Sequence, residues 1–232
     1  MKYIPFPFPP VQFYAYYIQE IQKATASEPL TLEEEHNMQQ SWRLDHDKLT
    51  FIVCHAPAMQ NKDTPTAPIK GCVHDAPDKM LGDVNLFLYE DDSDSDAEPS
   101  STATTAAPRG RQPVLGELEI MIASPAARGR GLAHVTLLAF LGYISAHLAL
   151  ILAEYRSGSD EKSERYLRYL RVKIDQHNVR SLGLFGKLGF QRNGAVNYFG
   201  EVEMRLQGPS GDAFGGLERA EQDVGKVVAY IP

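Results

Sequence analysis

The sequence has 232 residues, of which 43% are hydrophobic and 23% charged, and its formal net charge is −7. This composition provides one globular core with room for tails and insertions. Proteins that bind duplex DNA usually carry an excess of basic residues, so the acidic balance argues against that class. We expect no nucleic-acid partner.

The cysteines and the N-terminal segment indicate in which cellular compartment the protein resides. Cys54 and Cys72 are the two cysteines. Two isolated thiols are typical of a reducing compartment, and no Cys/His set has zinc spacing, so we predict no metal. The segment 1–23 is apolar, but four prolines interrupt its first ten residues and it has no small-residue cleavage site. It is therefore a poor secretory signal, and we expect a cytoplasmic protein.

The first half of the chain shows one helix and two strands. Thr31 followed by Glu34 is a capping box, which predicts a helix start. Residues 48–54 and 81–89 are typical of strands, and the proline-rich segment 57–77 is typical of a loop. Six of the nine residues from Glu90 to Glu98 are acidic. Because the segment 90–113 buries too little apolar area to offset its ordering entropy, we predict a disordered insertion there, with docking on a basic partner as the alternative.

The second half alternates strands and helices. Residues 114–122 read as a strand that leads into an Arg/Gly turn. The stretch Leu132–Ala153 contains no Lys, Arg, Asp or Glu and is long enough to cross a bilayer, which takes about 20 residues. Two histidines, Thr136 and Ser145 interrupt it, so we predict a buried core helix and no membrane partner.

The remaining elements complete an α/β (α+β) pattern. A charged insertion at 149–165 precedes a strand at 169–174. A short helix at 181–188 ends at Gly189, a typical C-terminal cap, and a last strand covers 197–206. A flexible tail follows at 207–232. This order predicts one domain with a mixed sheet flanked by helices.

The turn Arg128-Gly129-Arg130-Gly131 before Leu132 and Ala133 is suited to bind phosphate. The first amides of a helix have no backbone partner, and the helix dipole is positive there. Glycines allow close backbone approach, and the arginines add charge. The turn lacks a Walker lysine and a complete G-x-G-x-x-G, so a pyrophosphate ligand outside those classes fits, with a plain loop as the alternative.

Two motifs resemble those of a known superfamily. Arg128-x-x-Gly131-x-Ala133 resembles the acetyl-CoA motif of the GNAT acetyltransferases. The segment from Asn178 to Phe190, which includes Phe185, resembles that superfamily's second cofactor motif. Within the superfamily the chain most resembles the N-acetyltransferase 9-like branch, over about residues 24–206, the expected acetyltransferase domain.

The resemblance implies a mostly antiparallel GNAT-type sheet in which two strands part to admit the pantetheine arm of acetyl-CoA. By that analogy, backbone groups of Met121, Ile122 and Ala123 pair with the arm and polarise the thioester carbonyl. The amides of residues 129–133 hold the pyrophosphate. Asn178 contacts the arm or caps its helix, and Phe185 packs against the arm.

The implied activity is direct transfer of an acetyl group to a protein or peptide amine. A free N-terminal amine has a pKa near 7.7–8.0 and lysine near 10.4, so a chain without a strong base favours N-terminal amines. Glu117 and Glu119 lie on one face of their strand and are the candidate bases, with Glu117 preferred. The alternative is that both are ordinary solvent-facing residues.

Two departures from the family pattern suggest an alternative function. Phe185 stands where the second motif usually has a tyrosine able to protonate the leaving thiolate. The proline-rich start replaces the expected first edge strand, so either that strand is missing or the sequence begins too late. The alternative is a weak or inactive acetyl-CoA-binding protein, for which the branch implies tubulin as a partner.

Overall fold

The computed structural model describes residues 31–56, 69–91, 110–158, 163–208 and 230–231. The helices are α1 (Leu32–Leu44), α2 (Leu132–Ser157) and α3 (Val179–Lys187). The strands are β1 (Lys48–Cys54), β2 (Ile69–Lys70), β3 (Met80–Glu90), β4 (Arg111–Ile122), β5 (Glu164–Asp175), β6 (Gln191–Asn193), β7 (Glu201–Gln207) and β8 (Tyr230–Ile231). Short 3-10 turns cover Pro77–Lys79 and Pro125–Ala127.

Six strands form one mixed sheet in the order β1-β3-β4-β5-β7-β6. The pair β4–β5 is parallel and the other neighbours are antiparallel. This confirms the mixed, mostly antiparallel sheet with helices. The expected replacement of the first edge strand falls in 1–30, outside the described residues, as does most of the segment 57–77.

One face of the sheet forms the core. Side chains alternate between the two faces of a strand, so Leu86, Leu118 and Leu170 share one face and are almost fully buried. Helix α2 packs on this face through Leu137 and other apolar residues. Burying each such leucine contributes about 2 kcal/mol.

Among the described residues, α2 is the one helix that is long and apolar enough to cross a membrane. Its fully buried residues Leu137, Leu141 and Ile144 belong to the core cluster. This packing favours the buried-helix interpretation of the apolar stretch. The absence of a membrane partner stays a prediction.

Two predicted capping signals are confirmed, one at the start of α1 and one at the end of α3. Thr31 accepts the Glu34 amide through its side chain, while the Glu34 carboxylate accepts the Thr31 amide at 2.7 Å. The capping box therefore starts α1. At the end of α3, Gly189 has φ 88° and the Phe190 amide donates to the Phe185 carbonyl. This is the glycine cap that the sequence predicts.

The structure differs from the predicted boundaries at two segments. β4 begins at Arg111, inside the range 90–113, because Arg111 Nε lies 2.8 Å from Glu164 Oε2 on β5. α2 continues to Ser157, inside the range 149–165, and β5 begins at Glu164. Of these two predicted insertions, the structure leaves 92–109 and 159–162 undescribed.

Ion pairs hold the chain where it leaves β3. Arg165 Nη2 lies 2.9 Å from Glu90 Oε1, and Arg168 Nη1 lies 3.0 Å from Asp91 Oδ2. The Arg165 and Asp91 side chains are nearly buried, at 3% and 2% exposure. The segment from Asp91 to Arg111 is thus tied to β5 at both ends.

Candidate active site

Strands β4 and β5 part in the middle of the sheet. Their parallel pairing ends at Glu117 and Arg171, although β4 continues to Ile122 and β5 to Asp175. Beyond this point β4 stays paired with β3, and β5 stays paired with β7. The two halves of the sheet therefore diverge, and we call the gap between residues 118–122 and 172–175 the fork. The sequence resemblance implies this geometry.

The chain between β4 and α2 folds back on the end of β4. Arg128 Nε donates to the Ile122 carbonyl at 2.8 Å, and Arg128 Nη2 donates to the Ala123 carbonyl at 3.1 Å. On the β3 side, the Met121 carbonyl abuts Gly82 so closely that a Cβ at Gly82 would collide with it. The carbonyls of Met121, Ile122 and Ala123 thus face protein groups.

This packing limits what those three residues offer a ligand. Polarising a thioester carbonyl requires N–H donors, and the contacts of Arg128 concern only carbonyl oxygens. The predicted polarisation by Met121, Ile122 and Ala123 therefore depends on their amides and stays a prediction. The Arg128 guanidinium fixes the turn, a role that the sequence does not reveal.

The N-terminus of α2 is an open backbone cradle. Gly129 and the N-cap Gly131 have φ values of 72° and 80°, which L side chains rarely adopt, and no protein atom lies where their Cβ atoms would be. No acidic residue lies in the first turn of α2. Unpaired amides and the positive end of a 26-residue helix meet at this space.

The cradle fits a phosphate group. Arg130 is exposed beside it, and Leu132 and Ala133 begin the helix as predicted. A helix N-terminus with glycine and arginine neighbours favours an anion through backbone donors and charge together. The predicted pyrophosphate contacts at residues 128–133 remain consistent with this geometry and stay a prediction.

The second motif has a structural role in this arrangement. Asn178 Oδ1 accepts the Ser181 amide at 3.1 Å and so caps α3. Phe185 is 3% exposed and its ring packs edge-on against Phe190 at 5.2 Å. The helix-capping alternative for Asn178 therefore holds, and Phe185 belongs to the core. Their contacts with a cofactor arm stay predictions.

Glu117 is bound by two cations on the face of the sheet opposite the core. Its Oε2 lies 2.7 Å from Arg171 Nε and 3.1 Å from Lys173 Nζ. Arg171 also lies over the Tyr89 ring at 5.6 Å. A carboxylate engaged in this way is poorly placed to receive a proton from an amine, although the predicted catalytic role of Glu117 remains untested.

Glu119 lies on the same polar face, nearer the open end of the fork. Its side chain is exposed, but its neighbours partly desolvate the carboxyl. This desolvation raises the pKa of Glu119, the charge of Glu117 raises it further, and Lys173 opposes both. The role of Glu119 as a base stays a prediction.

A third carboxyl, that of Asp83 on β3, lies on the same polar face. In the antiparallel pair of β3 and β4, Asp83 is opposite Met121 and Asn85 is opposite Glu119. Asn85 Nδ2 donates to Asp83 Oδ1 at 3.2 Å. Burial raises the pKa of Asp83 to about 6; the Asn85 hydrogen bond lowers it, and the Glu119 charge adds to the rise.

Sequence reasoning missed Asp83 as a candidate. The signal was the alternation of β3: Asp83 and Asn85 flank Val84, which is buried in the core, so both point to the opposite face. The strand register, which brings Asp83 beside β4, is not readable from one sequence. On β3 and β4, the polar face beside the fork therefore carries three carboxyls: Asp83, Glu117 and Glu119.

A pyrophosphate cradle, a gap between strands and ionisable carboxyls suit group transfer from a long phosphate-bearing donor. The family model of the acetyltransferase (GNAT) domain matches residues 3–191. The chain is 38% identical over 194 residues to the N-acetyltransferase 9-like protein of Schizosaccharomyces pombe, a match that covers 81% of this chain and 83% of that protein.

A human relative is similar over a comparable length. The human protein named alpha/beta-tubulin-N-acetyltransferase 9 is 38% identical over 188 residues, with 81% of this chain and 69% of that protein covered. A solved spermidine N-acetyltransferase chimera from Vibrio cholerae is 15% identical with a TM-score of 0.47, covering 86% of this chain and 95% of that chain. From the match over residues 3–191 and the identity to these curated relatives, the chain belongs to the GNAT acetyltransferase family and is an acyltransferase enzyme.

Proposed function

We propose that this acetyltransferase uses acetyl-CoA and transfers the acetyl group directly to an amine of a protein or peptide in the cytoplasm. The observation that carries this proposal is the fork, which opens next to the glycine cradle at the start of α2. A donor with a pyrophosphate and an extended arm fits such an arrangement, because phosphate binds at the cradle and the arm follows the unpaired strand edge. The free thiols of Cys54 and Cys72 are consistent with a reducing compartment.

An N-terminal α-amine is the favoured acceptor. The carboxyls of the polar face include one with a pKa of about 6, which is a moderate base. Proton transfer to this base is then unfavourable by about 2 pKa units from an α-ammonium with a pKa near 8, and by about 4.4 units from lysine with a pKa near 10.4. The difference of about 2.4 units corresponds to roughly 3.3 kcal/mol in favour of the α-amine.

Tubulin is the first protein substrate to test. The human relative carries tubulin in its name, and we extend that acceptor to this chain as a proposal. The acceptor amine can approach along the polar face of β3, β4 and β5. The carboxyls of Asp83 and Glu119 lie on this face near the open end of the fork. An ammonium group is attracted to these carboxyls.

Calorimetry and a peptide assay test the proposal. Purified protein is titrated with acetyl-CoA at about 100 μM, within the usual range of enzyme KM values. Matched peptides then compare a free N-terminus with a blocked N-terminus and one free lysine. We expect binding, and faster transfer to the free N-terminus. Absence of binding would refute the acetyl-CoA proposal, and faster transfer to lysine would refute the acceptor.

A second candidate function is acetyl-CoA binding with little turnover. Phe185 favours it, because a tyrosine that could protonate the leaving thiolate is replaced by a buried ring. Under this alternative, calorimetry detects acetyl-CoA binding but no peptide in the panel is acetylated. The peptide assay therefore separates the two candidates.

A further inference from the structure

We propose that Asp83 is the proton acceptor for the incoming amine, with Asn85 as a positioning residue. This inference rests on the proposed function. It assigns the acceptor role to a residue of β3, whereas the carboxylates that the sequence pattern favours lie on β4.

The position of Asp83 is the first argument. Asp83 lies directly opposite Met121, one of the three residues whose backbone groups, by the sequence resemblance, pair with the arm and polarise the thioester carbonyl. Directly opposed residues of an antiparallel pair have Cβ atoms about 4.5–5.5 Å apart, so the Asp83 side chain stands beside that point of β4. On the other side, β1 places the apolar Ile52 opposite Asp83.

The neighbours of Asp83 are the second argument. Asn85 fixes one carboxyl oxygen through the 3.2 Å hydrogen bond, which leaves the other oxygen to an acceptor. The charge of Glu119 on β4 raises the pKa of Asp83, and the charge of Lys173 on β5 lowers the pKa of Glu119. A half-buried carboxyl near a like charge retains basicity close to neutral pH, as a general base requires.

The other two carboxyls are less suited to this role. Glu117 is engaged by Arg171 and Lys173 at the inner end of the fork. Glu119 is more exposed than Asp83 and lies two pairs further along the ladder, opposite Asn85. Asp83 alone combines partial burial, an orienting hydrogen bond and a place opposite Met121.

The proton transfer balances as follows. The acceptor arrives as an ammonium ion, and one of its protons moves to the Asp83 carboxylate. The nitrogen lone pair then forms a bond to the acetyl carbon while the carbon–sulfur bond breaks, and its electron pair stays on sulfur. The second proton of the nitrogen passes to the thiolate, and Asp83 returns its proton to solvent.

The central test compares Asp83→Asn with the control Asp78→Asn. Asp78 lies two residues before β3, with its side chain 67% exposed and paired with Lys79. We expect Asp83→Asn to lower kcat about 100-fold, in the range for loss of a general base, while the Kd for acetyl-CoA stays the same. Asp78→Asn is expected to match the wild type in both.

The pH dependence separates catalysis from structural damage. For the wild type, kcat/KM with a free-amine peptide rises with pH through about 6, because Asp83 must be deprotonated to act. This rise is the acid limb of the pH–rate profile. Asn85→Leu removes a hydrogen bond that favours the charged form of Asp83, so the acid limb moves to higher pH. Glu119→Gln removes the like charge, so the limb moves to lower pH.

Carboxyl ¹³C NMR of aspartate-labelled protein provides a measurement independent of turnover. The resonance missing in Asp83→Asn identifies Asp83, and its titration midpoint is expected to fall in Glu119→Gln. If wild type transfers acetyl groups and Asp83→Asn retains both turnover and the acid limb, this assignment is wrong while the proposed function stands. If wild type binds acetyl-CoA but acetylates no peptide, the proposed function fails and the assignment with it.

Discussion

Arg171 Nε lies 2.7 Å from Glu117 Oε2, and these two residues form the last pair of the parallel ladder between β4 and β5. Both side chains are largely buried, at 19% and 12% exposure. The ion pair therefore stands where the fork begins. We infer that it fixes the point at which the two strands part.

Glu117→Gln should reduce stability more than it alters chemistry. The change removes a charged acceptor shared by Arg171 and Lys173, and hydrogen bonds to charged groups contribute about 1.5–3 kcal/mol. We expect the free energy of unfolding to fall by about 2 kcal/mol in urea titrations. The acid limb of the pH–rate profile should remain.

A surface ion pair provides the control for this change. Lys79→Ala breaks the exposed pair with Asp78, and solvent screens such a pair so strongly that we expect little change in stability. Loss of the acid limb in Glu117→Gln, with stability equal to that of Lys79→Ala, would make Glu117 the base and contradict our interpretation.

Two glycines should respond to alanine with opposite signs. Gly131→Ala places a side chain at φ 80°, which is unfavourable by about 1–2 kcal/mol, although no atom blocks the Cβ. Gly186→Ala lies inside helix α3 in open space and should stabilise by about 0.5–1 kcal/mol. Thermal unfolding measures both, and acetyl-CoA affinity should fall only for Gly131→Ala. Equal stability of the two variants would refute the argument.

Reversing the charge of Arg130 should weaken acetyl-CoA binding. An acidic side chain beside the first turn of α2 repels phosphate, and we expect Kd to rise about 10-fold, or 1.4 kcal/mol. Arg156→Glu is the matched control, because Arg156 lies in the last turn of the same helix. Calorimetry at low and high salt measures both variants. A similar Kd for Arg130→Glu and wild type would place the pyrophosphate elsewhere.

The two cysteines should differ in alkylation rate. Burial raises the pKa of the Cys54 thiol to about 11, with a further contribution from Asp75. At pH 8 the thiolate fraction is then about 200-fold below that of an ordinary thiol with a pKa near 8.5. Exposed Cys72 should therefore react first with iodoacetamide in peptide mass spectrometry. Denaturant should remove the difference, and equal rates in the folded protein would contradict the prediction.

The sequence predicts the elements whose signals are local. Thr31 and Glu34 define a helix start through their own side chains, and Gly189 defines a helix end through its backbone. The sequence does not predict β6, because the residues of Gln191–Asn193 are all polar and exposed, so no alternation of apolar and polar residues marks the strand. Arg111 joins β4 because Glu164 pairs with it from 53 residues away.

For the candidate site, strand periodicity predicts which residues share a face but not which strands are adjacent. Glu117 and Glu119 could be placed together from their spacing alone. The engagement of Glu117 by Arg171 depends on the β4–β5 register, and the proximity of Asp83 to Met121 depends on the β3–β4 register. Both depend on the tertiary structure, so the sequence of β4 alone offers Glu117 and Glu119 as candidates and does not identify Asp83.

The ion pairs at Asp91 and Arg111 also bear on protein engineering. Arg168 and Glu164 of β5 contact these two points, and strand pairing of β3, β4 and β5 fixes the register on both sides of the stretch that joins them. The stretch 92–109 is therefore a natural place to insert a fluorescent reporter or an affinity tag while leaving both chain ends untouched.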